Sequence, residues 1–491
     1  MCAPALPDCT KHADTGRVTD PTPPRWRTAL WRGETAPIPV VRTPTRAVYP
    51  RRRPGDDIEL TAVDQGASLA LRVGTLLLAG GAPTEDVEAA IFAVGTALGL
   101  GTFEVDITYK SIIISVAPTG DRPSYTDIRV VRGRAMHFAR VAAAHQLVID
   151  LAEGRLAPTE VEARLSEIEH LRRPYPRWFV VLAFGALSAA ITVQLGGSAM
   201  TALVAFLTAA VTGLIGLRMI RRHAPTFFVN LVVAFGSAAI AVGVKWLEPN
   251  IDGFNVNTSL IIVGGIIALL PGMTLMVAAQ EAIGSFAVTA AARFVELTFA
   301  TVGIVSGVLL GLVLADKLDI SMNPDMGLDT NALLTVSIAA IAAAVAAASA
   351  ATTYQSPARL VVAGALIAGV AMLVYDWSSD WTTTAGVAAA APAVVIGFLG
   401  AVVAGRFKVP PVLITAAGIV PLLPGLAVYQ GLLNLSENDI REGLQYLVVA
   451  STIAIALAAG VLLGQLLAGR LMRSPLRAFI PQWGQTRDRY R

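Results

Sequence analysis

Between residues 178 and 470 one apolar stretch follows another, most of them long enough to cross a lipid bilayer. Nothing else in the chain restricts its fold as tightly. The hydrocarbon core is about 30 Å thick, so a spanning helix needs about 20 mostly apolar residues. Ten stretches qualify: Trp178–Gln194, Ala199–Leu217, Phe227–Leu247, Ser259–Ala279, Val288–Leu314, Leu333–Thr353, Ala358–Tyr375, Thr384–Gly405, Pro411–Leu433 and Leu444–Ala468. The charge is segregated to match. Only 15% of the 491 residues are charged, against about 25% in an ordinary soluble chain, and most of those lie in residues 1–177.

The loops give an independent check on ten spans, because Lys and Arg accumulate in loops that stay inside the cell. With the N-terminus inside, the inner loops carry Arg218, Arg221, Arg222, Arg293, Arg359, Arg406 and Lys408, and the tail after residue 470 adds more Arg. The outer loops hold Lys245, Lys317 and Arg441 among eleven acidic residues, including Glu248, Asp316, Asp376 and Glu437. Moving one span would scramble this pattern. It predicts a multi-pass plasma-membrane protein with both termini cytoplasmic.

The first third reads differently. Residues 1–57 hold ten of the 28 prolines and ten Lys or Arg with no apolar periodicity, the composition of a disordered basic tail. No signal peptide is recognisable, and the two cysteines, Cys2 and Cys9, both fall in this tail. Residues 58–177 are expected to form a small cytoplasmic α+β domain. Apolar residues at helical spacing run from Leu60 to Leu78 and stop at Gly80-Gly81. Thr84 then has the character of an N-cap, with Glu85, Asp86 and Glu88 following it. Two β-branched runs, Thr102–Thr108 and Ser111–Val116, predict strands, with Ile128–Val131 as a third. A helix over Ala135–Glu153 and a charged one from Pro158 to Arg172 complete the domain. His137 and His145 read as structural or surface residues, and Asp106 and Asp121 have no partner pattern that makes them catalytic. No phosphate loop, nucleophile elbow or zinc pattern is visible, so the chain is expected to be neither an enzyme nor a holder of metal or cofactor. A net charge of +3 gives no sign of nucleic-acid binding.

Within the membrane region one motif occurs twice. Gly265-Ile-Ile-Ala-Leu-Leu-Pro271-Gly272 in the fourth span matches Gly418-Ile-Val-Pro-Leu-Leu-Pro424-Gly425 in the ninth at six of eight positions. The offset is five spans. Five is odd, so the copies cross the bilayer in opposite directions. The pattern predicts two inverted five-helix repeats, over 178–315 and 331–470, an arrangement typical of secondary transporters. Pro-Gly in mid-span also predicts a broken helix, whose freed backbone groups survive at membrane depth only against protein or a wet cavity. The N-terminal end of a half-helix favours a carboxylate, and its neighbour's free carbonyls favour an ammonium. Pro271, Gly272, Pro424 and Gly425 are therefore expected at a substrate site, with Thr274, Asn230 and Tyr429 (and, less strongly, Thr226 and Gln430) along its path.

Charge buried in a span is costly and marks a substrate or proton route. Arg293 and Glu296 are three residues apart on one helical face, so Arg293 is expected to partner Glu296, the first candidate for proton coupling. Gln280 and Glu281 close the fourth span, and Glu281 joins Glu296 and Arg293 as a candidate for proton coupling.

These residues, read in order, resemble the bacterial threonine/serine exporter family. The motifs are Ala79-Gly80-Gly81-Ala82 with Phe103-Glu104-Val105-Asp106-Ile107-Thr108; Pro225-Thr226-Phe227-Phe228-Val229-Asn230; Leu270-Pro271-Gly272 through Gln280-Glu281-Ala282-Ile283-Gly284; Ala292-Arg293-Phe294-Val295-Glu296; and Pro410-Pro411 through Leu422-Leu423-Pro424-Gly425-Leu426-Ala427-Val428-Tyr429. The resemblance spans about residues 62–470. It implies outward transport of threonine and serine, driven by the proton gradient or membrane potential, by a cytoplasmic domain fused to ten spans. Some members divide the two halves between subunits and move dicarboxylates such as succinate, so a dicarboxylate exporter is the alternative. A membrane sensor read out by the cytoplasmic domain is a further one. The expected partners are a small amino acid and membrane lipid; the oligomeric state stays open.

Overall fold

A computed structural model describes residues 62–117, 124–131, 133, 136–248, 256–270, 272–320, 332–382, 384–437 and 439–471, and these belong to one compact unit. The expected basic tail over 1–57, the tail beyond Leu471, Asp121 and Pro271 lie outside the described residues.

The N-terminal domain begins with α1 (Ala62–Ala79) and α2 (Thr84–Ala97). The turn between them needs a glycine, since Gly81 sits at φ +92°. Three antiparallel strands follow in the order β1 (Phe103–Ile107), β2 (Ser111–Val116), β3 (Tyr125–Val130). Phe103 stands opposite Val116, and Ser111 opposite Val130. The period-two alternation puts Val105, Ile107, Ile112, Ile114 and Val116 on the covered face, against α1 and α2. α3 (Phe138–Ala152) and the short α4 (Val161–Glu169) close the domain, and Arg72 of α1 grips Glu169 of α4 through two hydrogen bonds of 3.0 and 2.8 Å.

Eight of the helices that follow are long and apolar enough to span a membrane, and two bent pairs bring the number to ten. The long ones are α5 (Arg177–Gln194), α6 (Ala199–Arg221), α7 (Thr226–Leu247), α10 (Ala287–Lys317), α11 (Ala332–Thr353), α12 (Ala358–Ser379), α13 (Ala385–Phe407) and α16 (Ile440–Leu471). The bent pairs are α8 (Thr258–Ile267) with α9 (Gly272–Ile283), at 47°, and α14 (Val412–Gly418, continued by a 3-10 turn to Leu422) with α15 (Gly425–Ser436), at 46°. Outward-facing stripes such as Leu203, Leu207, Val211 and Ile215 of α6 are exposed at four-residue spacing, and Trp178, Trp246, Trp377 and Trp381 are exposed at span ends. An apolar outer surface edged by Trp is what a helix bundle shows to lipid. The structure thus bears out a mainly helical, multi-pass protein behind a small domain with a three-stranded sheet.

The two halves pair their helices alike. α5 packs on α6 and α11 on α12; α7 packs on α10 and α13 on α16; α9 packs on α10 and α15 on α16. Small residues allow the closest of these approaches: a Cβ on Gly307 would come within 2.4 Å of the Leu231 carbonyl, and one on Gly397 within 2.1 Å of the Val461 carbonyl. The breaks also match bond for bond. In the first, Leu269 N donates to Ile266 O, Leu270 N to Ile267 O and Gly272 N to Leu270 O; in the second, Leu422 N donates to Ile419 O, Leu423 N to Val420 O and Gly425 N to Leu423 O. α8 and the α-helical part of α14 are buried at every position, so the first half-helices form the centre of the bundle. There the breaks meet, Gly272 against Leu423 and Gly425 against Ile267 and Leu270.

Candidate functional site

Two cavities flank α9. The first, about 450 Å³, lies between the N-terminal domain and the ends of the helices beneath it; it is lined by Glu85, Asp86, His145, Gln280, Glu281, Lys408 and Gln465 among others. The second, about 490 Å³, follows the first break. Thr226, Asn230, Ala268 to Leu270, Gly272, Thr274, Arg293, Glu296 and Tyr354 contribute to its wall. Both fall in the size range of small-ligand sites.

A buried ion pair stands between them. Arg293 Nε donates to Glu281 Oε2 at 2.5 Å, with side-chain exposures of 4% and 1%. Glu281 lines the first cavity and Arg293 the second. The sequence expectation that Arg293 would partner Glu296 is corrected here. Being on one helical face brings two side chains near each other, but α9 folds back along α10 and delivers a carboxylate that is fully desolvated with the guanidinium. The exposed Glu296 instead accepts a 2.5 Å hydrogen bond from Tyr109 Oη of the N-terminal domain. Arg293 Nη2 is buried with no partner among the described residues. A buried guanidinium donor without a partner is suited to an anion, and on the same cavity wall, at the end of α9 opposite Glu281, Gly272–Thr274 open the helix, whose first-turn N–H groups carry partial positive charge.

Thr84 is the second correction. It does not cap α2; Pro83 holds the N-cap position. Thr84 is completely buried, and its hydroxyl donates to Glu281 Oε1 at 2.8 Å. Glu281 therefore has one oxygen on the membrane helix and the other on the N-terminal domain.

Of the expected substrate residues, Asn230, Gly272 and Thr274 line the second cavity, with Asn230 Nδ2 also bonded to the Ala300 carbonyl at 3.1 Å. Pro424, Gly425 and Tyr429 line neither cavity. Tyr429 is wholly buried and reaches Ser259 Oγ of α8 at 3.2 Å, tying α15 to the other half. Pro271 lies outside the described residues. Sequence reasoning missed Thr84, Tyr109, Gln465 and Gln194. Gln465 Oε1 accepts from Gln280 Nε2, and Gln194 Nε2 donates to the Pro421 carbonyl, both at 2.8 Å. The latter satisfies a carbonyl freed by the second break. Only an intramembrane Gln on a span otherwise apolar hinted at either.

The N-terminal domain is joined to the helices it covers. Phe138 N and Ala139 N donate to the Tyr354 and Gln355 carbonyls, and Gln146 reaches the Phe407 carbonyl. His145 Nδ1 lies 3.1 Å from the Lys408 carbonyl, which can only accept, so this nitrogen carries the proton. Burial pushes the His145 imidazole down to about 4, with the Lys408 hydrogen bond opposing. The loops after α11 and α13, both expected on the inner side, thus share a side with the N-terminal domain.

Membrane-length helices, two breaks meeting at the centre and a cavity on either side of a buried charge pair define a multi-pass membrane protein of the transporter type. Sequence comparisons identify which. Family models for threonine/serine exporters match residues 68–315 and, as Threonine/Serine exporter, ThrE, residues 339–467. The junction between them falls between α10 and α11. A "Probable threonine/serine exporter" of Mycobacterium tuberculosis is 31% identical over 92% of this chain and 84% of its own length. A "Threonine/serine exporter" of Corynebacterium glutamicum is 33% identical over 86% of this chain and 88% of its own. The "Probable succinate transporter subunit YjjP" of Escherichia coli is 26% identical over 50% of this chain and 93% of its own. No solved structure matches. The chain belongs to the threonine/serine exporter family.

Proposed function

We propose that this protein is a secondary active exporter of threonine and serine from the cytoplasm, with the proton gradient or membrane potential as driving force. The observation that carries the reading is the second cavity, whose wall includes both the opening turn of α9 and Arg293, with Nη2 of Arg293 buried and without a partner among the described residues. A zwitterion suits that place. Its carboxylate is drawn by the positive end of α9 and, roughly 13 Å along that helix, by Arg293, while the terminal carbonyls of α8 near Ala268–Leu270 offer acceptors to its ammonium. Thr274 and Asn230 supply polar contact for a side-chain hydroxyl. Glu296, on the same wall, is the coupling carboxylate, and Glu281 is the group the substrate displaces from Arg293.

Matched breaks and matched helix pairings support two five-helix repeats, inverted in the bilayer because their offset is an odd number of spans. In this reading both termini are cytoplasmic, and the loops against the N-terminal domain are the arginine-bearing inner ones. Dicarboxylate export fits less well. A second anionic group calls for a second cation, and Arg293 is the only Lys or Arg among the described residues of that cavity wall.

Efflux from cells loaded in turn with threonine, serine and succinate, with and without an uncoupler, tests the reading. Threonine or serine efflux that an uncoupler abolishes is expected. Succinate efflux alone would move the protein to the dicarboxylate class, and no efflux of any of the three would refute the reading.

A further inference from the structure

We propose that the α2-leading loop of the N-terminal domain, Ala79–Thr84, is the gate between the two cavities, and that Thr84 is the positioning residue that keeps it shut. The proposal deepens the transport reading by naming what controls passage between its binding cavity and the first cavity.

The wall between the cavities is made of two things. One is the Glu281–Arg293 pair, a carboxylate on the first cavity and a guanidinium on the second. The other is the loop itself: Pro83 faces the first cavity, Ala79 and Gly81 the second. The loop lies along α9 and touches it near both ends. At the break, a Cβ on Gly81 would fall 2.7 Å from Met273 Cε, and the φ of +92° admits little but glycine. At the other end, Thr84 Oγ1 donates to Glu281 Oε1 at 2.8 Å. Both side chains are buried, Thr84 at 0% and Glu281 at 2% exposure.

The chemistry makes Thr84 a latch. Its hydroxyl donates to Glu281 and fixes the rotamer that reaches Arg293 Nε. For a solute to pass between the cavities Glu281 must leave Arg293, and that also breaks the bond to Thr84. A buried acceptor that loses its donor is penalised. The N-terminal domain thereby sets the height of the barrier. Movement of α9 and release of the loop become one event.

The test is thiol accessibility, which requires no substrate. In the full chain with Cys2→Ser and Cys9→Ser, Ala278→Cys places a reporter at a wholly buried position of α9 between the cavities, which is reached only when the wall opens. A membrane-impermeant maleimide is added to vesicles whose N-terminal domain faces the reagent. Thr84→Val is expected to raise the labelling rate at least tenfold, the equivalent of roughly one hydrogen bond to a charged group, whereas Thr84→Ser keeps the parental rate. Gly81→Ala disturbs the loop without touching Glu281 and is expected to raise the rate as well; it serves if Thr84→Val fails to accumulate. Equal rates in the parent and in these loosened variants would overturn the gate. A protein that moves neither threonine nor serine, yet shows the rate increase, would refute the proposed substrates and leave the gate standing.

Discussion

Arg293 and Glu281 meet at 2.5 Å with almost no exposure, on helices that a single short turn folds back on one another. Removing one partner of such a pair leaves an uncompensated buried charge and costs about 3–5 kcal/mol. Arg293→Leu and Glu281→Leu are each expected to lower the thermal transition of the detergent-purified protein sharply. The double variant Glu281→Gln with Arg293→Met should recover most of that loss and still not transport. Recovery of transport by the double variant would show that the pair serves packing alone.

Glu296 has a different environment, exposed and bonded to Tyr109. Glu296→Gln is expected to abolish gradient-driven export while the protein remains in the membrane. Tyr109→Phe removes one hydrogen bond to a solvated carboxylate, an effect within about tenfold, and should reduce efflux partially. Normal uncoupler-sensitive efflux by Glu296→Gln would take this residue out of the coupling step.

The contact between the two breaks predicts a matched pair of effects. A Cβ on Gly272 would come within 2.9 Å of Leu423, and one on Gly425 within 3.0 Å of Ile267. Gly272→Val and Gly425→Val should each destabilise by about 1–3 kcal/mol through overpacking, as read from thermal melts. Pro271→Ala and Pro424→Ala, which restore a helical N–H, are expected to impair export. Unimpaired export by both proline variants would reduce the breaks to packing kinks.

His145 predicts a pH dependence. Its folded value of about 4 lies below the ordinary 6.5, so the unfolded chain takes up a proton first as pH falls. Stability from this residue is full above pH 6.5 and declines between 6.5 and about 4, by up to about 3 kcal/mol. Thermal melts from pH 7.5 to 4.5 should show the decline, and His145→Asn, which keeps a donor for the Lys408 carbonyl, should flatten it. A wild-type curve no steeper than that of the variant would contradict the assignment.

Much of the architecture is legible in the order of the amino acids. Apolar length determines the spans, the alternation of Ile112, Ile114 and Val116 determines a half-buried strand, and Pro-Gly in mid-span determines both breaks. These are properties of short windows: bilayer thickness, the strand's period of two and proline's missing N–H act on neighbours in the chain. Glu296 and Arg293 draw attention for the same local reason, a charge amid apolar residues.

Tertiary structure alone decided which groups meet. Thr84 and Glu281 are 197 residues apart in sequence, and nothing in Thr84's own window separates a latch from an ordinary N-cap. Arg293 took Glu281 over Glu296 because a buried guanidinium is stabilised most by a carboxylate desolvated with it, and the fold of α9 against α10 determines which carboxylate that is. The sequence set what each segment is. The packing of α9 between two cavities, beneath a loop of another domain, set what those segments do to one another.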